Sequence, residues 1–169
     1  DPTDVDYPVG LNMLEFQTEA QRHFLAQEFV GIVMKLVQDE FGTEAMGEIA
    51  GPVFLQHARM NLLLAMSNPT DPGTLLEFHT IYQEADYWRR WLPLGLSDPL
   101  LERWVENVLP KVDYTKQGSE SVSMGGYVGS KFEGFVFDPL LRYLFGQKRS
   151  TIDLRRIMDE GKILLVNLA

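Results

Sequence analysis

The sequence predicts a mainly α fold: a compact multi-helix domain with a short extended N-terminal segment before it and one C-terminal β-strand after it. Three observations lead there. Apolar residues recur at helical spacing from Phe24 to Val37 (Phe24, Leu25, Phe29, Ile32, Val33, Leu36, Val37), the stripe of a long amphipathic helix. Asp98-Pro99 and Asp138-Pro139 each place a side-chain cap before a proline, a helix-opening device used twice. The only continuous apolar run behind a turn signal is Ile163-Leu164-Leu165-Val166-Asn167-Leu168-Ala169, after Asp159-Glu160-Gly161. It reads as a strand covered on both faces. Such a strand needs neighbours for its backbone groups, and the sequence offers hardly any other strand. The expectation is therefore a piece of a larger α/β protein.

Taken in order, Asp1 to Phe16 is punctuated by Pro2, Pro8 and Gly10 and reads as extended. Thr18 with Gln21 three residues later makes a capping box that opens the long helix, and Gly42 closes it. A second helical stretch covers Thr43 to Ala65 with a break at Gly51-Pro52. Asn68 to Gly73 is a loop. Thr74 caps a short helix from Leu75 to Tyr82, and another covers Glu84 to Trp91. The Asp98-Pro99 helix runs to Leu109 with Leu100, Leu101, Trp104, Val105 and Val108 inward. Pro110 to Glu120 is polar and mobile, and helix resumes from Ser121 to Val136. The Asp138-Pro139 helix ends at Gly146, and Ser150 or Thr151 caps a last helix, Ile152 to Asp159.

The 169 residues suit one domain, and an apolar fraction of 45% supplies a core. Cysteine is absent, which excludes disulfides, thiolate metal sites and a Cys nucleophile and fits a reducing compartment. No apolar run approaches the roughly 18–20 residues of a membrane-spanning helix, so no membrane contact is expected from this segment. The net charge of −9 is uneven. Residues 1–120 carry 8 Lys/Arg against 19 Asp/Glu, while 121–169 carry 7 against 5. The first part repels nucleic acid; a local basic patch remains open to the second.

His23, His57 and His79 share no helical i, i+3 or i+4 spacing, so no histidine pair grips a metal, and each reads as a surface or boundary residue. Asp1, Asp4 and Asp6 lack the glycine and late Glu of a calcium loop. Glu44 and Glu48 read as a solvated helix face. Ser123 to Lys131 is glycine-rich but lacks the second Gly of a phosphate-cradling loop and a strand before it. No catalytic, cofactor-binding or metal residue is predicted. Two basic groups are candidates for DNA or subunit contact. Arg89 and Arg90 lie between Trp88 and Trp91, a mixture of cation and aromatic that nucleic-acid binders use and that core Trp with solvated Arg also produces. Lys148, Arg149, Arg155 and Arg156 suit phosphate or an acidic neighbouring subunit, and equally suit dipole compensation.

The two ends, Asp1-Pro2-Thr3-Asp4 with Pro8-Val9-Gly10-Leu11-Asn12-Met13-Leu14, and Leu141-Arg142, Gly146-Gln147 and Ser150 to Ala169, resemble the HerA/FtsK superfamily of DNA-pumping ATPases. The nearest branch is the coupling ATPases of type IV secretion and conjugation, the TraG/VirD4-like group. Met13 stands where these proteins often carry proline, and neither nucleotide-binding motif is in the chain. The resemblance implies that 1–16 is an extended segment from a RecA-like motor core, 17–147 an all-α insertion domain, and 148–169 a helix and strand re-entering that core. The strand is then left over from a RecA-like α/β sheet. It further implies a cytoplasmic domain, with the parent at the inner face of the cytoplasmic membrane, and ATP and Mg as cofactors of a hexameric parent ATPase rather than of this segment. The partners implied are cargo or relaxosome proteins.

Three functions follow as expectations: a substrate-recognition and docking domain at the cytoplasmic mouth of the motor; a direct DNA-binding domain using a local basic patch; or an independent enzyme, for which the sequence supplies no nucleophile–base pair, metal cluster or phosphate loop.

Overall fold

A computed structural model describes residues 6–49, 51–112, 114, 126 and 132–166. Its helices are α1 (Glu19–Ile49), α2 (Pro52–Ala65), α3 (Leu75–Ile81), α4 (Pro99–Asn107), α5 (Pro139–Phe145) and α6 (Leu154–Asp159), with 3-10 turns at Tyr87–Trp91 and Leu109–Lys111 and a helical stretch over 132–137. The expected mainly helical fold is present, and the chain is compact.

Local chemistry explains most element ends. The Thr18 hydroxyl accepts from Gln21 N at 3.2 Å and opens α1. The Gln21 side chain reaches back to Gln17 N at 2.9 Å, one residue before the cap. Gly42 (φ 78°, ψ 170°) breaks α1 where the sequence places the stop, because a left-handed residue cannot continue the hydrogen-bond ladder. Pro52 starts α2 after Gly51. Thr74 and Glu77 form a reciprocal capping box on α3. Asp98 caps α4 through Leu101 N at 3.2 Å, and Asp138 caps α5 through Leu140 N at 2.8 Å.

The core runs through α1, α2, α3 and α4. Leu62, Leu64, Ala65, Met66, Phe78 and Leu101 are fully enclosed. Phe29, Phe78 and Phe132 meet at ring separations of 5.5–5.7 Å and bind the 132–137 stretch to the body. Arg22 is also fully buried. Its guanidinium pairs with Glu19 and with Asp98 at 3.3 Å and donates to Leu63 O at 3.0 Å, so one cation ties α1 to α2 and to the cap of α4.

Several expectations are corrected. The inner stripe of α1 is Arg22, Ala26, Phe29 and Val33; Phe24 and Ile32 face outward. Leu100 is 76% exposed rather than inward. Residues 84–86 are not helical, because Asp86 sits in the left-handed region (φ 59°) and only a 3-10 turn follows. His57 and His79 are buried, not surface residues. The last helix starts at Leu154 and is capped by Asp153, whose carboxylate accepts from Arg156 N at 2.9 Å. Ser150 and Thr151 cannot cap it, since other backbone groups hold their hydroxyls.

The expected C-terminal strand is not formed over residues 163–166. No backbone partner lies beside them among the described residues, and Ile163 and Leu165 are about nine-tenths exposed. An apolar run without neighbouring strands has nothing to complete its ladder. Residues 167–169, most of the polar 110–120 segment and most of the helix expected from Ser121 lie outside the described residues.

Candidate functional site

The two segments that bracket the helices come together. Leu11 N donates to Leu144 O at 2.7 Å, and Thr151 N to Gly10 O at 2.9 Å. Gly10 N donates to the Thr151 hydroxyl at 2.9 Å and Asn12 N to the Ser150 hydroxyl at 3.0 Å. Asn12, almost wholly buried, is the hub. Its amide donates to Gly73 O and to Lys148 O, both at 3.0 Å, while its oxygen accepts from Leu14 N at 2.9 Å. Three groups on three segments are satisfied by one side chain, which a hydrophobic side chain of the same size cannot do.

Glu15 completes the clasp by accepting from Ser150 N at 2.9 Å. Burial works to raise its pKa, but the bonds from Ser150 and the Arg149 charge outweigh it and hold the carboxyl below its ordinary value. Gly146 closes the joint by close approach: a Cβ there would lie 2.5 Å from Leu76 Cδ1 and 2.6 Å from Arg142 O.

Beside the clasp is a groove of about 580 Å³ whose apolar lining includes Leu11, Phe16, Ile152, Leu154 and Met158. Beyond it α5 and α6 bury no residue, and Met158, Ile163, Leu165 and Val166 stand well exposed. This is the largest uncovered apolar run among the described residues, at the place where the sequence expects a covered strand.

The six predicted basic residues separate into three places. Lys148 pairs with Asp71; Arg149 lies 3.5 Å from Glu15 and donates to Pro69 O at 2.9 Å. The Asp71 carboxyl is held below its usual range, first by the bond from Lys148 and further by the Lys148 and Arg90 charges. Lys148, Arg149 and Arg90 thus surround the 68–73 loop. Arg155 and Arg156 instead pair along α6 with Asp159 (3.5 Å) and Glu160 (2.7 Å). Glu160 is lowered by hydrogen bonds from Lys162 and then Arg156. Arg90 also pairs with Glu77 at 3.8 Å, and Arg89 pairs with Asp86 at 3.1 Å and lies 4.5 Å over the Trp88 ring. Trp88 and Trp91 are core residues. Each of the six cations has a carboxylate partner, so a phosphate would have to displace one.

Two clusters, one half-exposed and one buried, were not legible in the sequence. Glu19, His23 and Asp98 converge as ligands might, but the Arg22 guanidinium already supplies the positive charge there. His57 Nδ1 lies 2.8 Å from the Tyr114 hydroxyl, to which Asn61 donates at 3.0 Å. Burial pushes the His57 pKa down and the Tyr114 pKa up. This is a structural tether between α2 and the chain after α4.

Asp1, Asp4, and all of the glycine-rich stretch 123–131 except Gly126 lie outside the described residues, as do the side chains of Glu44 and Glu48. No helix is long and apolar enough to cross a membrane among the described residues. No family model, curated protein or solved structure matches the chain.

Proposed function

We propose that this chain is the all-α docking domain of a DNA-transfer or secretion ATPase of the HerA/FtsK type, recognising cargo or accessory proteins at the cytoplasmic mouth of a hexameric motor. One observation carries the reading. Some of the residues that bear the resemblance, Gly10, Leu11, Asn12, Ser150 and Thr151, form the clasp, which draws the two flanking segments together. A domain inserted into another fold must leave and return at neighbouring points. The uncovered apolar residues from Leu154 to Val166 lie just past the return point, where the motor sheet would cover them. ATP and Mg would be held by the motor, and no step is assigned to residues of this chain.

The acidity of residues 1–120 favours basic protein partners over DNA, and the carboxylate pairing of all six basic candidates points the same way. The gene sequence preceding Asp1 tests the motor assignment: a G-x-x-x-x-G-K-[ST] loop on an early strand is expected, and its absence contradicts the reading. Fluorescence anisotropy with single- and double-stranded DNA near 50 mM salt separates the DNA reading; the docking account expects no binding at high micromolar protein.

A further inference from the structure

A second groove, sharing no lining residue with the one at the clasp, lies between α1, α2 and the start of α4 and encloses about 590 Å³. Val30, Leu55, Met60 and Leu63 give it apolar walls, and the exposed Leu100 forms a lip. Gln27, Gln56 and Arg59 stand at its polar margin. Its α1 side, His23 to Val30, spans about 10 Å at 1.5 Å per residue, the length of two helical turns.

The carboxylates near this groove are already engaged. Asp98 is spent on Arg22 and on capping α4, and His23 sits 3.7 Å from Glu19. Arg59 is exposed and has no carboxylate partner among the described residues, unlike Arg89, Arg90, Lys148, Arg149, Arg155 and Arg156. In a chain of net charge −9, an unpaired arginine beside an apolar trough is a local reversal of sign.

We infer that this groove docks a short amphipathic helix of a partner protein, with apolar side chains at i, i+3 or i+4 and i+7 seated between α1 and α2 and an acidic side chain on Arg59. The apolar stripe supplies affinity, the fork of Arg59 selects a carboxylate, and Gln27 and Gln56 match polar groups on the helix margin. An open trough two turns long suits a helix, whereas a free amphiphile needs an enclosed pocket. The inference deepens the docking reading and rests on it for its biological setting; its own chemistry needs no motor.

The probes are two labelled fourteen-residue helical peptides with leucines at i, i+3, i+4 and i+7, identical except that the flanking residue is Glu in one and Lys in the other. Anisotropy should show the Glu peptide binding about tenfold more tightly at low salt, a preference that shrinks as salt rises. Arg59→Glu should reverse the preference, and Leu100→Ser should weaken both peptides; both positions are exposed, so the fold is retained, as helical circular dichroism would verify. Amide shifts should map to Gln27, Gln56 and Arg59. Absence of binding, equal affinities unaltered by Arg59→Glu, or shifts centred elsewhere overturns the inference. So does dodecanoate giving the same shifts at lower concentration than either peptide. None of these failures bears on the upstream phosphate loop, which tests the motor reading separately.

Discussion

The helical body and the terminal unit hold themselves together by opposite means. Between Glu19 and Leu109 the chain excludes water from a contiguous apolar core, with one buried cation, Arg22, at the junction of three helices. From Phe137 to Val166 the helices bury nothing completely and are tied to the N-terminal segment by backbone bonds, Asn12, Glu15 and exposed ion pairs. Burial of apolar surface stabilises the first region; hydrogen bonds, each worth about 0.5–1.5 kcal/mol net, hold most of the second, with Phe145 packed against Phe135 as its apolar anchor. The apolar residues of the second region that stay in water, Met158 and Ile163 to Val166, are poised to be given to another surface, while the body needs none.

The largest expected effect breaks the body. Arg22→Ala leaves Asp98 buried without its partner and should cost about 3–5 kcal/mol in urea unfolding. Arg22→Met combined with Asp98→Asn should recover much of that, because the buried charge is then gone from both sides. Asn12→Ala breaks the clasp instead. It strips Gly73 O, Lys148 O and Leu14 N of a partner and should cost about 1–3 kcal/mol. Its hydrogen-exchange signature should be confined to the clasp amides, Leu14 first and then Gly10 to Asn12, Ser150 and Thr151, with the amides of Leu62 to Met66 unchanged.

A smaller effect comes with pH. Burial lowers the pKa of His57 and, against an opposing Glu133 charge, that of His79. The unfolded chain therefore takes up these protons first, near pH 6.5, so stability is full above that value and falls as the pH drops through it towards the folded values. Each histidine contributes a slope of at most about 1.4 kcal/mol per pH unit, and His57→Gln should flatten the decline between pH 6.5 and 5. Glu15 and Asp71, whose pKa values are lowered, add their losses only below about pH 4.5. The smallest effect is expected at the exposed run: Met158→Asp or Leu165→Asp should move stability in urea unfolding by no more than about 0.5 kcal/mol.

The helices were legible where a single residue dictates an end. Gly42, Pro52, Thr74, Asp98, Asp138 and Gly146 act locally, and the structure uses each as expected. What the sequence hid depends on distant partners. Phe24 fits the apolar period of α1 as well as Arg22 breaks it, and only the meeting of Arg22 with Asp98, 76 residues away, turns the helix face inward. The clasp left one local trace, an asparagine among the apolar residues of Gly10 to Leu14. The strand failed for the same reason in reverse: Ile163 to Val166 has strand composition, but pairing is a property of neighbours.

Native-state hydrogen exchange across the whole chain tests this division most directly. The account predicts that Leu62 to Met66 and Phe78 exchange only through global unfolding, that Leu11, Ser150 and Thr151 open at a lower free energy, and that Ile163 to Val166 exchange without protection. Protection over Ile163 to Val166 equal to that of the core, or a clasp that opens only with the body, would contradict it.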